Sequence, residues 1–423
     1  IILFFYKGCI MLEMKANLYY RQILKKHPYS YFAEDSTRVI MGIDCDFYDA
    51  KDITFSELKA KFYENASKEQ ICKYSGFFGV FSANFISLFE NLPPNENQNY
   101  DFPNFLFANA KAYLVYEKTS KMFFKYGESK YFDFLKEDFV FDKKACEYKI
   151  LQDFQEEKID FTHSVEKAKE YLLSGDIFQV VLSKQLCIEH NFDSFEFYET
   201  LSELNPSAYM FYFPTQYGVV LGSSPEFLLK IKNKEIFLAP IAGTRNLDEN
   251  SDILKLEKDL LSDEKELSEH KMLVDLARND ASKFGKNTRV ENLFSITRNK
   301  FVMHIVSEVY ATMDKQANIF DIIGAVFPAG TLSGAPKIRA LEIINELENL
   351  DRGVYGGAVG FLNFNEDVVL AIVIRSAFFK ENKAFIASGA GIVLQSDPQK
   401  EYEEICAKRK ALLVSFEKMA KGS

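Results

Sequence analysis

The sequence predicts an α+β layered fold, and three features carry that prediction. Short apolar runs at strand spacing recur along the chain, helical periodicities fall between groups of them, and Gly- and Pro-containing turns separate the two. In the first 150 residues, Val39 to Ile43, Phe77 to Phe81 and Ala112 to Tyr116 read as strands, and the polar stretch Asn91 to Asn97 reads as a loop. The polar segment Lys149 to Asp160 then marks a boundary. It precedes a helix from His163 to Ser174, whose Val165, Ala168 and Leu172 share one face and which Gly175 ends. Two domains are expected, 1–150 and 160–419.

Beyond the boundary, strands are expected at Ile177 to Leu186, Tyr209 to Phe213, Gly218 to Gly222 and Glu235 to Leu238. A long helix follows at Asp263 to Phe284, then a strand at Phe301 to Met313. A helix near Pro336 to Leu347 precedes strands at Ala358 to Phe364, Val368 to Phe379 and Ala384 to Val393. Asp397 as N-cap and Pro398 at the first helical position open a last helix running to about Met419.

A chain of 423 residues, 47% hydrophobic and 26% charged, is long enough to bury a sizeable core. Its 51 basic and 61 acidic residues give a net charge of -10 without a basic run, which excludes nucleic acid as an expected partner. The six cysteines (Cys9, Cys45, Cys72, Cys146, Cys187 and Cys406) lie far apart, as reduced thiols of a cytoplasmic protein do. The apolar opening Ile1 to Tyr6 lacks the basic region and cleavage site of a secretory signal, and reads as upstream sequence ahead of Met11 or Met14. No later segment reads as a membrane span.

Candidate chemistry begins with carboxylates. Glu266 and Glu269 stand three residues apart on the long helix, as do Glu401 and Glu404 on the last one, so each pair shares a helix face. Lys265, Lys271, Lys400 and Lys408 are at hand, and a solvated acidic face is the plainer reading of either pair alone. Two such pairs suit magnesium, which takes one or two carboxylates and keeps waters and a substrate oxygen. The turns Ala329 to Pro336 and Ser388 to Gly391 offer backbone N–H groups to an anion, and the first runs into a helix N-terminus.

Further runs are Gly175-Asp176-Ile177-Phe178-Gln179, Gly222-Ser223-Ser224-Pro225-Glu226, Pro240-Ile241-Ala242-Gly243-Thr244-Arg245, Glu269-His270-Lys271-Met272-Leu273-Val274-Asp275-Leu276-Ala277-Arg278-Asn279-Asp280, Arg352-Gly353-Val354-Tyr355-Gly356-Gly357 and Glu401-Tyr402-Glu403-Glu404. In this order, with the two Gly-rich turns among them, the sequence resembles the chorismate-utilising enzyme family, in its anthranilate synthase component I branch. The resemblance implies two facing antiparallel sheets with helices outside, an N-terminal regulatory-type domain, and chorismate in the cleft. It implies Mg2+ held by Glu269 and Glu404, with Glu266 and Glu401 orienting its waters. Substrate contacts would come from Gly243, Thr244, Tyr355, Arg375, Gly389 and Gly391, with the guanidinium fork of Arg375 on a carboxylate. Catalytic roles would fall to Glu226 as a protonated general acid, to Thr331, and to His304 in pyruvate elimination. Arg375 as a strand-end arginine and His304 as a core histidine are the plainer alternatives.

Two positions distinguish branches by the same resemblance. Water-using relatives carry a lysine base where this chain has Gln179, and aminodeoxychorismate synthases carry a nucleophilic lysine where it has Ala242. Anthranilate, the first product on the route to tryptophan, is therefore the expected product. The chain has no Gly-x-Cys-x-Gly turn, so a glutamine amidotransferase subunit is the expected source of ammonia. An aminodeoxychorismate synthase, or a catalytically silent chorismate or tryptophan sensor, is the alternative. Tryptophan inhibition would use Asp35, Ser36, Ala208, Tyr209 and Met210, where the chain departs from the family's Leu-Leu-Glu-Ser and Asn-Pro-Ser-Pro-Tyr-Met motifs.

Overall fold

The computed structural model describes residues 15–92, 95, 97–136, 146–247, 252–298 and 302–421. The apolar opening with Met11 and Met14, and Cys9, lie outside them. Several expected elements stand within a few residues of their predicted bounds, among them strands Gln179–His190, Glu235–Leu238 and Lys383–Ile392 and helices Glu264–Phe284 and Pro398–Lys421. Asp263 caps the first of these helices by accepting from Lys265 N and Glu266 N.

The polar segment before His163 is ordered secondary structure. Strand Tyr148–Ile150 pairs with Gln179–His190, and the helix runs Phe154–Ser174, started by Asp153, whose side chain accepts from Gln155 N and Glu156 N. The segment's charge density marks a boundary in the sequence, but a capped helix with one buried face tolerates it. Strand Gly285–Arg298 was not foreseen at all; it is polar and mostly exposed, and pairs on one side with Val302–Met313.

Every registered strand pair is antiparallel, and hydrogen bonding joins the described strands into one 19-stranded sheet where two were expected. One flank runs Gln179–His190, Lys383–Ile392, Ser376–Lys380, Gly218–Ser224 and Tyr209–Thr215. The N-terminal strands Tyr31–Glu34, Arg38–Asp49, Phe105–Glu117 and Gly76–Phe81 form the middle. Ala358–Asn363, Val368–Ile372, Phe227–Lys232, Glu235–Leu238 and Val302–Met313 make the other flank.

Two partner strands break at the same place. Gly218–Ser224 and Phe227–Lys232 are separated by Pro225-Glu226, and Val368–Ile372 and Ser376–Lys380 by residues 373–375. The sequence reading ran Val368 to Phe379 as one strand. Pro225 has no N–H to give a ladder, and Arg375 sits in left-handed backbone at φ 50. Ser223 N donates to Arg375 O at 3.1 Å and Ile372 N to Glu226 O at 3.0 Å, so the breaks stay opposite each other. Glu226 and Arg375 are thereby released from strand alternation.

The core mixes both parts of the chain. Phe77, Phe81, Phe85 and Phe107 pack in one cluster with Leu229, Ile231, Val309 and Leu370, and Tyr20, Phe32, Phe195 and Tyr198 in another with Phe379 and Phe416. Each such side chain contributes about 1.5–3 kcal/mol by leaving water, and with many of them the flanks are held to the N-terminal strands by apolar burial as well as by the ladder. The C-terminal helix is pinned by buried Arg409, which donates to both Glu157 oxygens, while Tyr402 Oη donates to Glu157 Oε1 at 3.0 Å. That fixes which face of the helix carries Glu404.

Candidate active site

The helices Glu264–Phe284 and Pro398–Lys421 turn their carboxylate pairs toward each other. Burial raises Glu269 to about 7, the negative charges of Glu266 and Glu404 add to it, and Lys265 and a hydrogen bond from Gln179 oppose it. Gln179 Nε2 donates to Glu269 Oε1 at 2.7 Å. Glu266 is also raised, by burial, against the pull of Arg245, whose guanidinium lies 3.4 Å away. Burial likewise raises Glu401, with Glu404 adding and Ser396 opposing. Glu404 is half exposed and paired with Lys408 at 2.7 Å.

Among the described residues no group of three or more His, Cys, Asp or Glu side chains forms a ready metal cage. The carboxylates nonetheless suit a hard cation. Glu269 is desolvated and faces two like charges, an arrangement that a divalent ion would relieve, and all the donors are carboxylate oxygens.

At the paired breaks stands Glu226. Thr331 Oγ1 donates to its Oε1 at 2.9 Å, which leaves Oε2 to carry a proton. Burial raises this carboxyl to about 7, against the hydrogen bond from Thr331 and the positive charges of Lys408 and Arg375. It is therefore substantially protonated at neutral pH. Burial lowers Arg375, and its NH1 donates to Lys408 O at 2.5 Å. Lys408 Nζ in turn donates to Gly389 O at 2.8 Å, so this lysine links the two ends of the site.

The glycines leave room. A Cβ on Gly389 would lie 3.0 Å from Tyr355 Oη, and one on Gly391 would lie 2.6 Å from Gln179 Nε2 and 3.5 Å from Glu269 Oε1. Tyr355 is buried, which pushes its hydroxyl up to about 12 and keeps it neutral. Gly243, at φ 67, lies where a Cβ would sit 3.2 Å from Glu266 Oε2, and its carbonyl is 3.2 Å from His304 Nδ1. Thr244 is registered opposite His304 on the neighbouring strand. Burial lowers His304 below its ordinary value, so its ring is neutral at pH 7. Through these contacts the predicted catalytic, substrate and metal residues form one connected cluster, with Ala242 buried in the strand beside it.

The sequence reading missed Lys408 as a member. Its only sequence signal is the i,i+4 spacing from Glu404, the pattern of an ordinary surface pair. It also missed Arg352 and Glu348, whose hydrogen bonds reach Leu332, Val181 and Ser183 beside the site.

The two stretches expected to hold an effector adjoin. Glu34 is registered opposite Met210, and Asp35 Oδ1 accepts from Thr37 N at 2.6 Å and Arg38 N at 3.0 Å, closing the turn after the strand. Ser36 and Ala208 are exposed. Tyr209 is pushed up to about 12 by burial, with the charge of Asp35 adding, and the Lys230 ammonium stands 5.4 Å from its ring centre. Tyr209 is registered opposite Ser224, whose Oγ lies 3.1 Å from Glu226 O.

The profile of the chorismate binding enzymes matches residues 15–414. Over 281 residues the chain is 47% identical to anthranilate synthase component 1 of Acetivibrio thermocellus, covering 66% of this chain and 56% of that protein. Over 260 residues it is 46% identical to the protein of the same name from Thermococcus kodakarensis, covering 60% and 59%. The chain thus spans little more than half the length of these curated relatives. The crystal structure of anthranilate synthase component I from Streptococcus pneumoniae superposes with a TM-score of 0.74 at 29% identity, covering 91% of this chain and 92% of that one. A menaquinone-specific isochorismate synthase from Escherichia coli shares the fold at a TM-score of 0.72 and 17% identity, covering 92% and 88%. With a family profile spanning nearly the whole chain and its motifs gathered in one cluster, the chain belongs to the chorismate binding enzyme family.

Proposed function

We propose that the protein converts chorismate and ammonia to anthranilate, pyruvate and water. The observation that carries this reading is the acid Glu226, bonded through one oxygen to Thr331 and held near neutrality, in a site where Gln179 and Ala242 offer neither a base for water nor an amine nucleophile. Glu269 and Glu404 would hold a magnesium ion, with Glu266 and Glu401 orienting its waters, and its charge, when bound, neutralises the ring carboxylate. Gly389 and Gly391 leave space for that carboxylate, while Arg375 and Tyr355 grip the carboxylate of the enolpyruvyl arm. Ammonia adds to the ring carbon beside the carboxylate-bearing one as Glu226 protonates the departing ring hydroxyl. His304, neutral and with Nδ1 turned to Gly243 O, would take the proton released on pyruvate elimination.

A cytoplasmic setting and an amidotransferase subunit supplying ammonia from glutamine complete the reading, and no helix among the described residues is long and apolar enough to cross a membrane. We read the continuous ladder as folding back so that its two flanks face each other across the substrate. Residues 1–150, as a regulatory domain, would place tryptophan between Asp35-Ser36 and Ala208-Tyr209-Met210. Inhibition would pass through the register of Tyr209 on Ser224, two residues from Glu226.

Anthranilate fluorescence after mixing protein, chorismate, magnesium and an ammonium salt tests the reaction, and chromatography of the mixture identifies the products. Anthranilate and pyruvate are expected. Dominant 4-amino-4-deoxychorismate, isochorismate or salicylate would overturn the assignment, and no turnover at all would favour a silent chorismate-binding member.

A further inference from the structure

Behind the site lies a buried ion pair that none of the roles above uses. Arg352 donates from Nε to Glu348 Oε2 at 2.8 Å and from NH2 to Glu348 Oε1 at 2.6 Å. The same guanidinium donates from NH1 to Leu332 O at 2.6 Å and from NH2 to Val181 O at 2.7 Å. Glu348 Oε1 also accepts from Ser183 N at 2.7 Å and Ser183 Oγ at 3.0 Å. The two side chains are about nine-tenths buried or more, at 10% and 6% exposure.

Each of these bonds ends beside a residue of the site. Leu332 follows Thr331, the hydrogen-bond donor to Glu226. Val181 lies two residues past Gln179, and Val181 and Ser183 are registered opposite Gly391 and Gly389. Tyr355 N donates to Arg352 O at 3.1 Å, and the Arg352 guanidinium stands 5.9 Å from the Tyr355 ring centre. A planar fork with five donors satisfies three separate segments at once; a lysine ammonium in its place lacks the reach and the geometry.

We propose that Arg352 and Glu348 are positioning residues that set the acid Glu226, through Thr331, and the carboxylate-binding elements Tyr355 and Gly389 in register with each other. The inference rests on the anthranilate-forming reading for its kinetic arm. The charged groups that face Glu226 are Lys408 from the C-terminal helix and Arg375 from the opposite break, with Thr331 from the turn. Arg352 reaches Glu226 only along Leu332 and Thr331, so its loss acts on the acid by loosening the hydrogen bond that Thr331 makes.

The test compares wild type, Arg352→Lys, Thr331→Ala and the double variant, with thermal unfolding to confirm folding. Arg352→Lys is expected to lower kcat/KM roughly 10- to 100-fold, the scale of a small misplacement of reacting groups. It should also move the alkaline limb of the pH profile to higher pH, because a hydrogen bond that favours ionised Glu226 is weakened. Thr331→Ala should move that limb in the same direction, and the double variant no further than Thr331→Ala alone. Calorimetric titration with chorismate should show weaker binding by folded Arg352→Lys, a result that does not depend on turnover. Glu348→Gln, which keeps an acceptor for Ser183 and Arg352, should give the same signature in smaller measure and serves if the lysine variant fails to fold. Folded Arg352→Lys with wild-type kinetics, limb and chorismate affinity would overturn the inference, as would limb shifts that add independently. A wild-type protein that makes no anthranilate would sink the functional reading instead, leaving the calorimetric comparison to decide this one.

Discussion

Glu226 and Glu269 both stand at about 7, for different reasons. Burial does most of the work in each. Glu226, however, is faced by Lys408, Arg375 and the hydroxyl of Thr331, all of which favour its ionised form. Glu269 is faced by Glu266 and Glu404, which disfavour it. One carboxyl is raised by burial despite cationic neighbours; the other by burial with anionic neighbours adding. A shared pKa therefore does not imply a shared role. Under the proposed function the first group would hold and deliver a proton, and the second would give up its proton to a metal.

Removing each carboxyl in turn separates the two roles. Glu226→Gln should lower kcat by about 10²–10⁴-fold, the usual scale for a general acid, at every magnesium concentration. Glu269→Gln should lower turnover by at least about 100-fold and shift the magnesium dependence strongly, since even groups that only support a metal ligand change affinity by about 10–100-fold. If saturating magnesium restored Glu226→Gln, or left Glu269→Gln unaffected at low concentration, the two roles would have to be exchanged or abandoned.

Neighbour substitutions sharpen it further. Glu266→Gln and Glu401→Gln are each expected to weaken magnesium affinity by about 10–100-fold with a smaller effect on kcat at saturation, read from initial rates across a metal titration. Lys408→Met should move the alkaline limb of kcat/KM above its wild-type position near pH 7, because a positive charge that favours ionised Glu226 is lost. A limb that moves down would contradict the electrostatics.

Stability should report the same contrast. Both folded pKa values lie above the ordinary 4.5, so the stabilisation that comes with these protons is fully present below about pH 4.5 and is lost as pH rises through about 7. Without metal the unfolding temperature should therefore fall across that interval. Magnesium should flatten the part due to Glu269 and leave the part due to Glu226, and Glu269→Gln should abolish the magnesium effect. A pH-independent unfolding temperature would count against both assignments. The smallest expected effect is at the effector stretch, where Asp35→Ala or Tyr209→Ala should weaken tryptophan inhibition about fivefold, for one lost hydrogen bond worth about 1 kcal/mol. Inhibition curves unchanged in both variants would place the effector elsewhere.

Much of this was legible locally. A period of 3.6 with a capping aspartate suffices to draw the helix Glu264–Phe284 and to put Glu266 and Glu269 on one face, whatever the rest of the chain does. The same reasoning placed Glu401 and Glu404 on Pro398–Lys421. The motifs around Glu226, Gly243, Tyr355 and Gly389 were legible as a resemblance. Where local signals conflicted, reading failed: the charged run before His163 hid a capped helix, and the polar strand Gly285–Arg298 showed no alternation to find.

Which residues share a helix face or a turn can be read along the chain, because that follows from backbone geometry over a few residues. Which faces meet depends on packing between distant segments. The partner of Glu226 is Thr331, 105 positions away, and the partner of Glu269 is Gln179, 90 positions away. The paired breaks that release Glu226 and Arg375 from strand alternation, the joining of the flanks through the N-terminal strands, and the position of Lys408 between two carboxylates all arise the same way. Desolvation and charge act through space, so a carboxylate's proton affinity is fixed by neighbours that the chain brings together only on folding.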